Sequence, residues 1–334
     1  MVKNKWADYD IPTEKIFKLG PLECVTSSFI NALILLGKNY KYFLLNYWTV
    51  DYYNKLLLGS RNLNLCFVLY LYGIKIKIQK GKLQDINNLL NQNHMVIIQC
   101  KASQLAYFPA KYLTHENRGL GHTFLLYGYD PDAQTYMIID AMANFCNNIL
   151  VKQLEVLKDA DGYLSYFPLI NNDYKEPKIE EIFTRATAYN YTLFMQKIFN
   201  YGQKAFSLFY KDILNSLNWD ETARNQWIDQ NYLTISSLIN NRSLIWNCFK
   251  ELKLLNLEEE LLIEEKTNAL IKQWKLLIFI LAKLKKTMDE NHCDVLKKKL
   301  ELLKKLEADI LFTMFEAGNR FKKEEPVVPL EING

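Results

Sequence analysis

The chain has 334 residues, of which 49% are hydrophobic and 23% are charged, and this composition indicates a globular protein of one large or two ordinary domains. Its net charge of +4 is mild and gathers late, in "LAKLKKTMDE" and "LKKKLELLKKLE", where solvated helix faces explain it. The first half has no basic stripe interleaved with stacking aromatic residues, so nucleic-acid binding is not predicted. Binding of an acidic partner by these basic segments remains an alternative.

The N-terminal stretch "MVKNKWADYDIPTEK" is charged and lacks the apolar core of a signal peptide. The longest apolar stretches, "CFVLYLYGI" and "LLIFILA", are too short to span a bilayer and predict buried core. Six cysteines lie far apart, with no C-x-x-C pair and no metal-ligand spacing. We therefore expect a cytoplasmic protein with free thiols, without a bound metal or a membrane partner.

The first predicted elements alternate between helix and strand. Residues 25–36 form an apolar run closed by a glycine, which predicts a buried helix, and the crowded apolar residues of 40–58 predict a second helix. The run "NLCFVLYLYGIKIKIQKG" then changes to strand-like alternation, with Ile74, Ile76 and Ile78 on one face. "KLQDINNLLNQNH" predicts a short amphipathic helix, and "MVIIQCKA" predicts a buried strand.

A polar, aromatic-bearing loop is predicted over residues 103–119. The segment "GHTFLLYGYDPDAQTYMIIDA" follows it and predicts a β-hairpin, with strands over 122–129 and 135–140 and a turn at 130–132. "GYLSYFPLI" predicts one more short strand. The strands therefore lie in the middle of a mixed α and β region.

The pattern becomes helical after "NNDYKEPK". Residues 179–321 contain no proline, and apolar residues recur at helical spacing. Two long stripes predict an antiparallel helix pair joined at "DENHCD"; they consist of Trp274, Leu277, Leu281, Leu284 and Met288, and of Leu296, Leu300, Leu303, Leu306, Ile310 and Met314. We predict a mixed domain over residues 1–172, a helical domain over 173–325 and an extended tail over 326–334.

Cys24 lies where the first buried helix is predicted to begin, after "GPLE". A helix N-terminus presents unpaired N–H groups and the positive end of the dipole, and both favour a thiolate over a thiol. Cys24 is therefore placed where a nucleophile is useful. The alternative is a small buried hydrophobic residue, since free cysteine is among the most buried residue types.

A cysteine nucleophile needs a base, and the base needs an orienting group. Of the four histidines, His94, His115 and His292 lie in predicted loops or connectors, where solvated roles explain them. His122 opens the first strand of the predicted hairpin, and Asp140 closes the second. The hairpin therefore brings His122 and Asp140 within reach across the ladder, although strand-end polar residues more often face solvent.

The order of cysteine on a helix, histidine on a strand and aspartate on a strand resembles the papain-like cysteine enzymes. More narrowly, "ECVTSSFINALILLG" with "GHTFLLYGYDPDAQTYMIIDA" resembles the butirosin-biosynthesis protein H family. Its members join a papain-like domain to a helical domain and transfer acyl groups from carrier-protein thioesters to amines. The resemblance implies an α+β fold with a papain-like N-terminal domain and a central antiparallel sheet, followed by an all-α C-terminal domain. It also implies Cys24 as nucleophile, His122 as base and Asp140 as the orienting group.

One feature departs from the papain-like pattern. Those peptidases carry a glutamine shortly before the cysteine as an oxyanion-hole donor, and "EKIFKLGPLEC" contains none. The Cys24 N–H with a second donor, either a backbone N–H or Thr26, would have to form the hole. A thioester has a better leaving group than an amide and needs less oxyanion stabilisation, so the departure favours acyl transfer over peptide hydrolysis.

The expected function is therefore an acyltransferase or amide synthase of specialised-metabolite biosynthesis, such as that of antibiotics. Its partners would be an acyl or peptidyl carrier protein, whose phosphopantetheine supplies the acyl group, and an amine or diamine acceptor. No resident cofactor is expected. Glu116 is the nearest loop carboxylate to hold a cationic amine, although a solvated carboxylate is the simpler role. Aromatic residues of the helical half could line an acyl channel, although core packing also explains them. A cysteine peptidase or thioesterase, and a non-catalytic binding protein on the same scaffold, remain alternatives.

Overall fold

The computed structural model describes residues 13–20, 23–59, 63–110, 121–196, 200–287 and 291–322. Ten helices occur in these ranges: α1 Cys24–Leu35, α2 Lys41–Leu45, α3 Leu65–Tyr72, α4 Leu83–Asn91, α5 Val151–Glu155, α6 Ile179–Met195, α7 Gly202–Ser216, α8 Glu221–Glu251, α9 Leu257–Thr287 and α10 Asn291–Asn319. Nine strands occur in the same ranges: β1 Asp51–Tyr53, β2 Leu56–Leu58, β3 Ile74–Ile76, β4 Gln79–Gly81, β5 Met95–Lys101, β6 Gly121–Asp130, β7 Thr135–Asp140, β8 Phe145–Leu150 and β9 Leu164–Asn171. The predicted tail lies outside the described residues.

The chain divides into two compact units that are not contiguous in sequence. The sheet-bearing unit consists of residues 1–43, 58–176 and 229–241, and the helical unit consists of residues 44–57, 177–228 and 242–334. The mixed α and β character of the first half and the helical character of the second half are therefore as predicted. No helix within the described residues is long and apolar enough to cross a membrane.

Seven strands form one sheet in the order β3, β9, β5, β6, β7, β8, and β4 also pairs with β9. Every strand pair in this sheet is antiparallel. The predicted hairpin is present as β6 and β7, with a bulge between Leu126 and Gly128. Its turn is stabilised by Asp130, whose Oδ1 accepts the N–H groups of Asp132 and Ala133. The hairpin lies inside the sheet, flanked by β5 and β8.

Hydrophobic residues cover both faces of the sheet. On one face, alternate residues of β6, including Phe124 and Leu126, join a buried cluster with Ile86 and Leu90 of α4. Helix α1 contributes no member to this cluster and packs against β6, β5 and β7. We infer from the alternation of the strand that α1 covers the opposite face. The predicted buried helix therefore runs along the centre of the sheet.

Two of the predicted elements are wrong. Residues 40–58 do not form one helix, because after the short α2 the chain turns into the β1–β2 hairpin. The hairpin turn has positive φ at Asn54 and Lys55, the combination that a two-residue type I′ turn needs. The first part of the predicted strand run is also helical, since α3 is capped by Asn64 and closed by Gly73 at φ 66°. Ile78 lies between β3 and β4 and is exposed.

The helical unit contains the predicted antiparallel pair α9 and α10, which pack against each other. Helix α6 also packs on α10, where a Cβ at Gly318 would lie 2.3 Å from Thr187 Oγ1, so only glycine permits this approach. The two predicted stripes are buried except at Leu306, and Met288 lies outside the described residues. Leu306 is only partly buried, whereas the next residue on α10, Glu307, is fully buried.

Candidate active site

Cys24 is the first residue of α1, as the sequence predicts. The residue before it, Glu23, makes no side-chain capping hydrogen bond, and the first turn of α1 carries no acidic residue. The positive end of the helix dipole acts on the thiol of Cys24, which directly follows the buried Glu23. Cys24 as a whole residue is partly exposed, while burial acts on its thiol.

Polar residues inside α1 fix the approach of the chain to Cys24. Ser27 Oγ accepts the N–H of Leu19 at 3.2 Å. Asn31 accepts the N–H of Phe17 at 3.0 Å and donates to the carbonyl of the same residue at 2.9 Å. These bonds tie the preceding segment to the buried face of α1, and each satisfies a polar group that would otherwise be buried without a partner. The position of the thiol is thus set by a rigid element and by the segment that leads into it.

His122 and Asp140 form a buried pair at the end of the β6–β7 ladder. His122 Nε2 lies 2.7 Å from Asp140 Oδ2, and both side chains are fully buried. Because Leu125 pairs with Ile139, His122 and Asp140 are diagonal neighbours rather than directly opposite residues. The carboxylate accepts a hydrogen bond from Nε2–H, which leaves Nδ1 as the ring nitrogen that can face another group.

Both oxygens of Asp140 are engaged. While Oδ2 faces His122, Oδ1 accepts the backbone N–H of Ala143 at 3.1 Å. Ala143 lies in the tight turn between β7 and β8, in which Asn144 has a positive φ of 55°. This local turn fixes the plane of the carboxylate and so the orientation of the imidazole.

The thiol of Cys24 interacts with both His122 and Thr123. Burial raises the pKa of the Cys24 thiol, but hydrogen bonding and charge from His122, together with hydrogen bonding from Thr123, outweigh burial, so the net pKa lies below the ordinary value of 9.0. Consecutive strand residues point to opposite faces. A thiol that contacts both residues therefore lies at the end of the sheet where β6 begins.

The pKa of His122 is raised in turn. Burial alone would lower it, but the hydrogen bonds and charges of Asp140 and Cys24 outweigh burial and raise the pKa to about 9. A lowered thiol pKa beside a raised imidazole pKa favours a thiolate–imidazolium pair near neutral pH. The three residues that the sequence predicts to lie together are together in the structure, with the His122 imidazole between the Cys24 thiol and the Asp140 side chain.

Several residues of the site were missed by the sequence analysis. Thr123 follows His122 directly. Its hydroxyl oxygen is buried, and no partner lies at the distance and angle of a full hydrogen bond. Cys100 pairs with His122 across β5 and β6, and burial raises the pKa of its thiol. Phe108 packs against the imidazole of His122 in an edge-to-face arrangement, with the ring centroids 4.8 Å apart. Tyr107 lies beside Phe108, and both belong to the aromatic part of the predicted polar loop.

The other candidate residues do not join the site. His94 is partly buried between α4 and β5, where burial lowers its pKa, and His292 lies at the start of α10. His115 and Glu116 lie outside the described residues. Thr26, the alternative oxyanion donor, is buried within α1. Among the described residues, no group of three or more histidine, cysteine, aspartate or glutamate side chains could hold a metal ion.

The geometry supports nucleophilic chemistry: a thiol with a lowered pKa at a helix N-terminus, an imidazole beside it and a buried carboxyl group behind the imidazole. A non-catalytic scaffold does not need a buried histidine whose pKa is raised or a thiol whose pKa is lowered. Comparison with known proteins finds no matching family model and no matching curated protein.

Proposed function

We propose that this chain is a cysteine-nucleophile acyltransferase that forms amide bonds, with Cys24, His122 and Asp140 as its catalytic residues. The observation that carries the proposal is the fully buried His122–Asp140 pair, 2.7 Å between Nε2 and Oδ2, next to a thiol with a lowered pKa at the start of α1. The order of these elements, and the antiparallel sheet behind them, support a papain-like architecture for the first unit.

The first half-reaction transfers the acyl group to the enzyme. The Cys24 thiolate attacks the carbonyl carbon of an acyl thioester, and the tetrahedral intermediate collapses as the carbon–sulfur bond to the donor thiol breaks. His122 holds the proton that the departing thiolate takes up. The product is an acyl-Cys24 thioester and a free thiol, which would be the phosphopantetheine arm of a carrier protein.

The second half-reaction releases the acyl group to an amine. The amine attacks the acyl-Cys24 carbonyl, His122 accepts the proton that the amine loses, and the Cys24 thiolate leaves. Water competes for the same carbonyl and is present in vast excess, so the amine must be bound beside the acyl-enzyme to win. The proposed acceptor is an amine or diamine of a specialised-metabolite pathway, and the proposed setting is the cytoplasm.

A thioester substrate also suits the donors that this site offers. No glutamine precedes Cys24, while Thr123 supplies hydrogen bonding from both its backbone and its side chain beside the sulfur. A thiolate leaves without protonation more easily than an amine does, so a site with few oxyanion donors handles a thioester better than an amide. A peptidase or thioesterase would use the same three residues with water as the acceptor.

Supplying an acyl thioester with and without a panel of diamines, and following the products by mass spectrometry, tests the proposal. We expect an amide product with the wild-type protein and none with Cys24→Ala. Cys66→Ala is the matched control, since Cys66 is an exposed cysteine on α3, and we expect it to retain the activity. Free acid formed at one rate, whatever amine is added, would replace the synthase by a thioesterase, and cleavage of small peptides would replace it by a peptidase.

A further inference from the structure

The segment after β5 packs over the catalytic pair. A 3₁₀ turn at Ala102–Gln104 begins it, and the side chain of Gln104 caps the turn by accepting the N–H of Lys101. Two further backbone bonds, from Leu105 to Ala102 and from Phe108 to Leu105, keep the chain tightly turned. Two aromatic residues, Tyr107 and Phe108, are thereby held at the catalytic end of the sheet.

The two aromatic rings meet different partners. Phe108 contacts the His122 imidazole edge to face, with an interplanar angle of 65°. Tyr107 stacks flat on Phe145, with the ring centroids 4.2 Å apart and an interplanar angle of 9°. Phe145 pairs directly with Asp140 between β7 and β8, so their side chains lie on the same face of the sheet. Stacking on Phe145 therefore places the Tyr107 ring beside the carboxylate of Asp140.

The hydroxyl of Tyr107 is a donor in need of an acceptor. Its oxygen is buried, and no acceptor lies at the distance and angle of a full hydrogen bond. Buried tyrosine hydroxyls nearly always find a partner. Burial, the charges of Asp140 and Cys100 and hydrogen bonding to Asp140 all raise its pKa, so the group stays protonated and can donate to a carboxylate, which only accepts. Active-site hydrogen bonds are often long without substrate and shorten in the complex.

We propose that Tyr107 is a positioning residue whose hydroxyl is the third donor to the Asp140 carboxylate, after His122 Nε2–H and the Ala143 N–H. A carboxylate can accept about four hydrogen bonds, so Asp140 has room for this donor. The third bond fixes the carboxylate further and withdraws negative charge from the bond to His122. The imidazolium is then held in place without being stabilised so strongly that it cannot give up its proton.

Tyr107→Phe tests this role, because it keeps the stacked ring and removes only the hydroxyl. With one donor fewer, the carboxylate becomes a better acceptor for the imidazolium, so we expect the pKa of His122 to rise by roughly half a pH unit or more. NMR titration of the imidazole measures this change in the free protein. We also expect acyl transfer to slow by about tenfold, since the loss of one hydrogen bond to a charged group is of that size.

Tyr136→Phe is the matched control. Tyr136 is a fully buried residue of β7 whose hydroxyl donates to Asn87 Oδ1 at 2.6 Å, so the change also removes one buried tyrosine hydroxyl. A rise in the His122 pKa with Tyr107→Phe and not with Tyr136→Phe supports the role. An unchanged or lowered His122 pKa with Tyr107→Phe overturns it. Only the expected change in acyl-transfer rate rests on the proposed function. The NMR titration of His122 needs no acyl transfer, so it tests the role of Tyr107 even if the protein transfers no acyl group.

Discussion

Asp140→Asn is expected to lower the rate of acyl transfer by on the order of 10² or more in a protein that still folds. The first reason is charge. Asp140 is the largest favourable influence on His122, whose pKa it helps to raise to about 9. Without the carboxylate, the pKa of His122 falls, the thiolate–imidazolium pair is weakened, and less of Cys24 is in its nucleophilic form at neutral pH.

The second reason is geometry. Both oxygens of Asp140 accept a hydrogen bond, one from His122 Nε2 and one from the Ala143 N–H. Asparagine has only one oxygen, so its NH₂ group must face either the imidazole or the backbone N–H, and two donors then oppose each other. If the NH₂ group faces the imidazole, it favours the tautomer that carries its proton on the side of Cys24, where a base is needed.

The rate is measured with one acyl thioester and one amine, and circular dichroism shows that the variant is folded. Asp132→Asn is a suitable control, because Asp132 is an exposed residue in the turn of the same hairpin. We expect the control to keep the wild-type rate. A folded Asp140→Asn variant with a wild-type rate would show that another residue, or none, orients His122.

Glu307→Gln is expected to lower the free energy of unfolding by about 3–5 kcal/mol. Glu307 and Arg242 form a fully buried ion pair in the helical unit, with Arg242 Nε 2.9 Å from Oε1. The indole N–H groups of Trp48 and Trp274 also donate to the carboxylate, at 2.6 Å and 3.3 Å. Glutamine leaves the Arg242 charge buried without a counter-charge and turns one acceptor into a donor.

Urea unfolding compares this variant with Glu301→Gln, in which the exposed partner of Lys304 loses its charge at a position earlier on the same helix α10. The surface change should alter the free energy of unfolding by less than about 1 kcal/mol. The double variant Arg242→Met/Glu307→Leu should be less destabilised than Glu307→Gln, because neither charge is left unpaired. An effect of Glu307→Gln no larger than that of Glu301→Gln would contradict this role of the buried pair.

Local patterns in the sequence are enough to predict where Cys24, His122 and Asp140 lie and most of the elements around them. An apolar run behind Cys24, and a hairpin with one polar residue at each end, place the thiol, His122 and Asp140 on adjoining elements, as the structure shows. These features depend on neighbours in sequence and on strand pairing across a short turn. The hairpin can therefore be predicted without information on the rest of the chain.

The residues that sequence reasoning missed depend on contacts between distant segments. Nothing local marks Tyr107 as stacked on Phe145 or Cys100 as the partner of His122, because strand order alone brings them together. The same holds for Glu307, where a helical stripe of leucines predicts Leu306 in the core and the structure buries the carboxylate beside it. Burial of Glu307 depends on Arg242, 65 residues away.

Two element predictions failed for a related reason. Apolar residues crowd 40–58, but this segment supplies a short helix and a hairpin whose turn uses positive φ at Asn54 and Lys55. Composition also could not indicate that residues 44–57 belong to the helical unit and residues 229–241 to the sheet-bearing one. Such exchanges follow from packing across long separations, which hydrophobic periodicity does not report.

The most direct test of Cys24 as an activated nucleophile is its rate of alkylation by iodoacetamide as a function of pH, with each cysteine followed by peptide mapping from about pH 5 to about pH 10. As pH falls, the Cys24 thiolate should persist below the ordinary thiol pKa of 9.0, and as pH rises its imidazolium partner should persist until about 9. We therefore predict that Cys24 reacts first below neutral pH, ahead of the more exposed Cys66, and that Cys100, with its raised pKa, reacts far more slowly. Uniform labelling, labelling in the order of exposure, or Cys24 reacting last would contradict an activated thiol at this site.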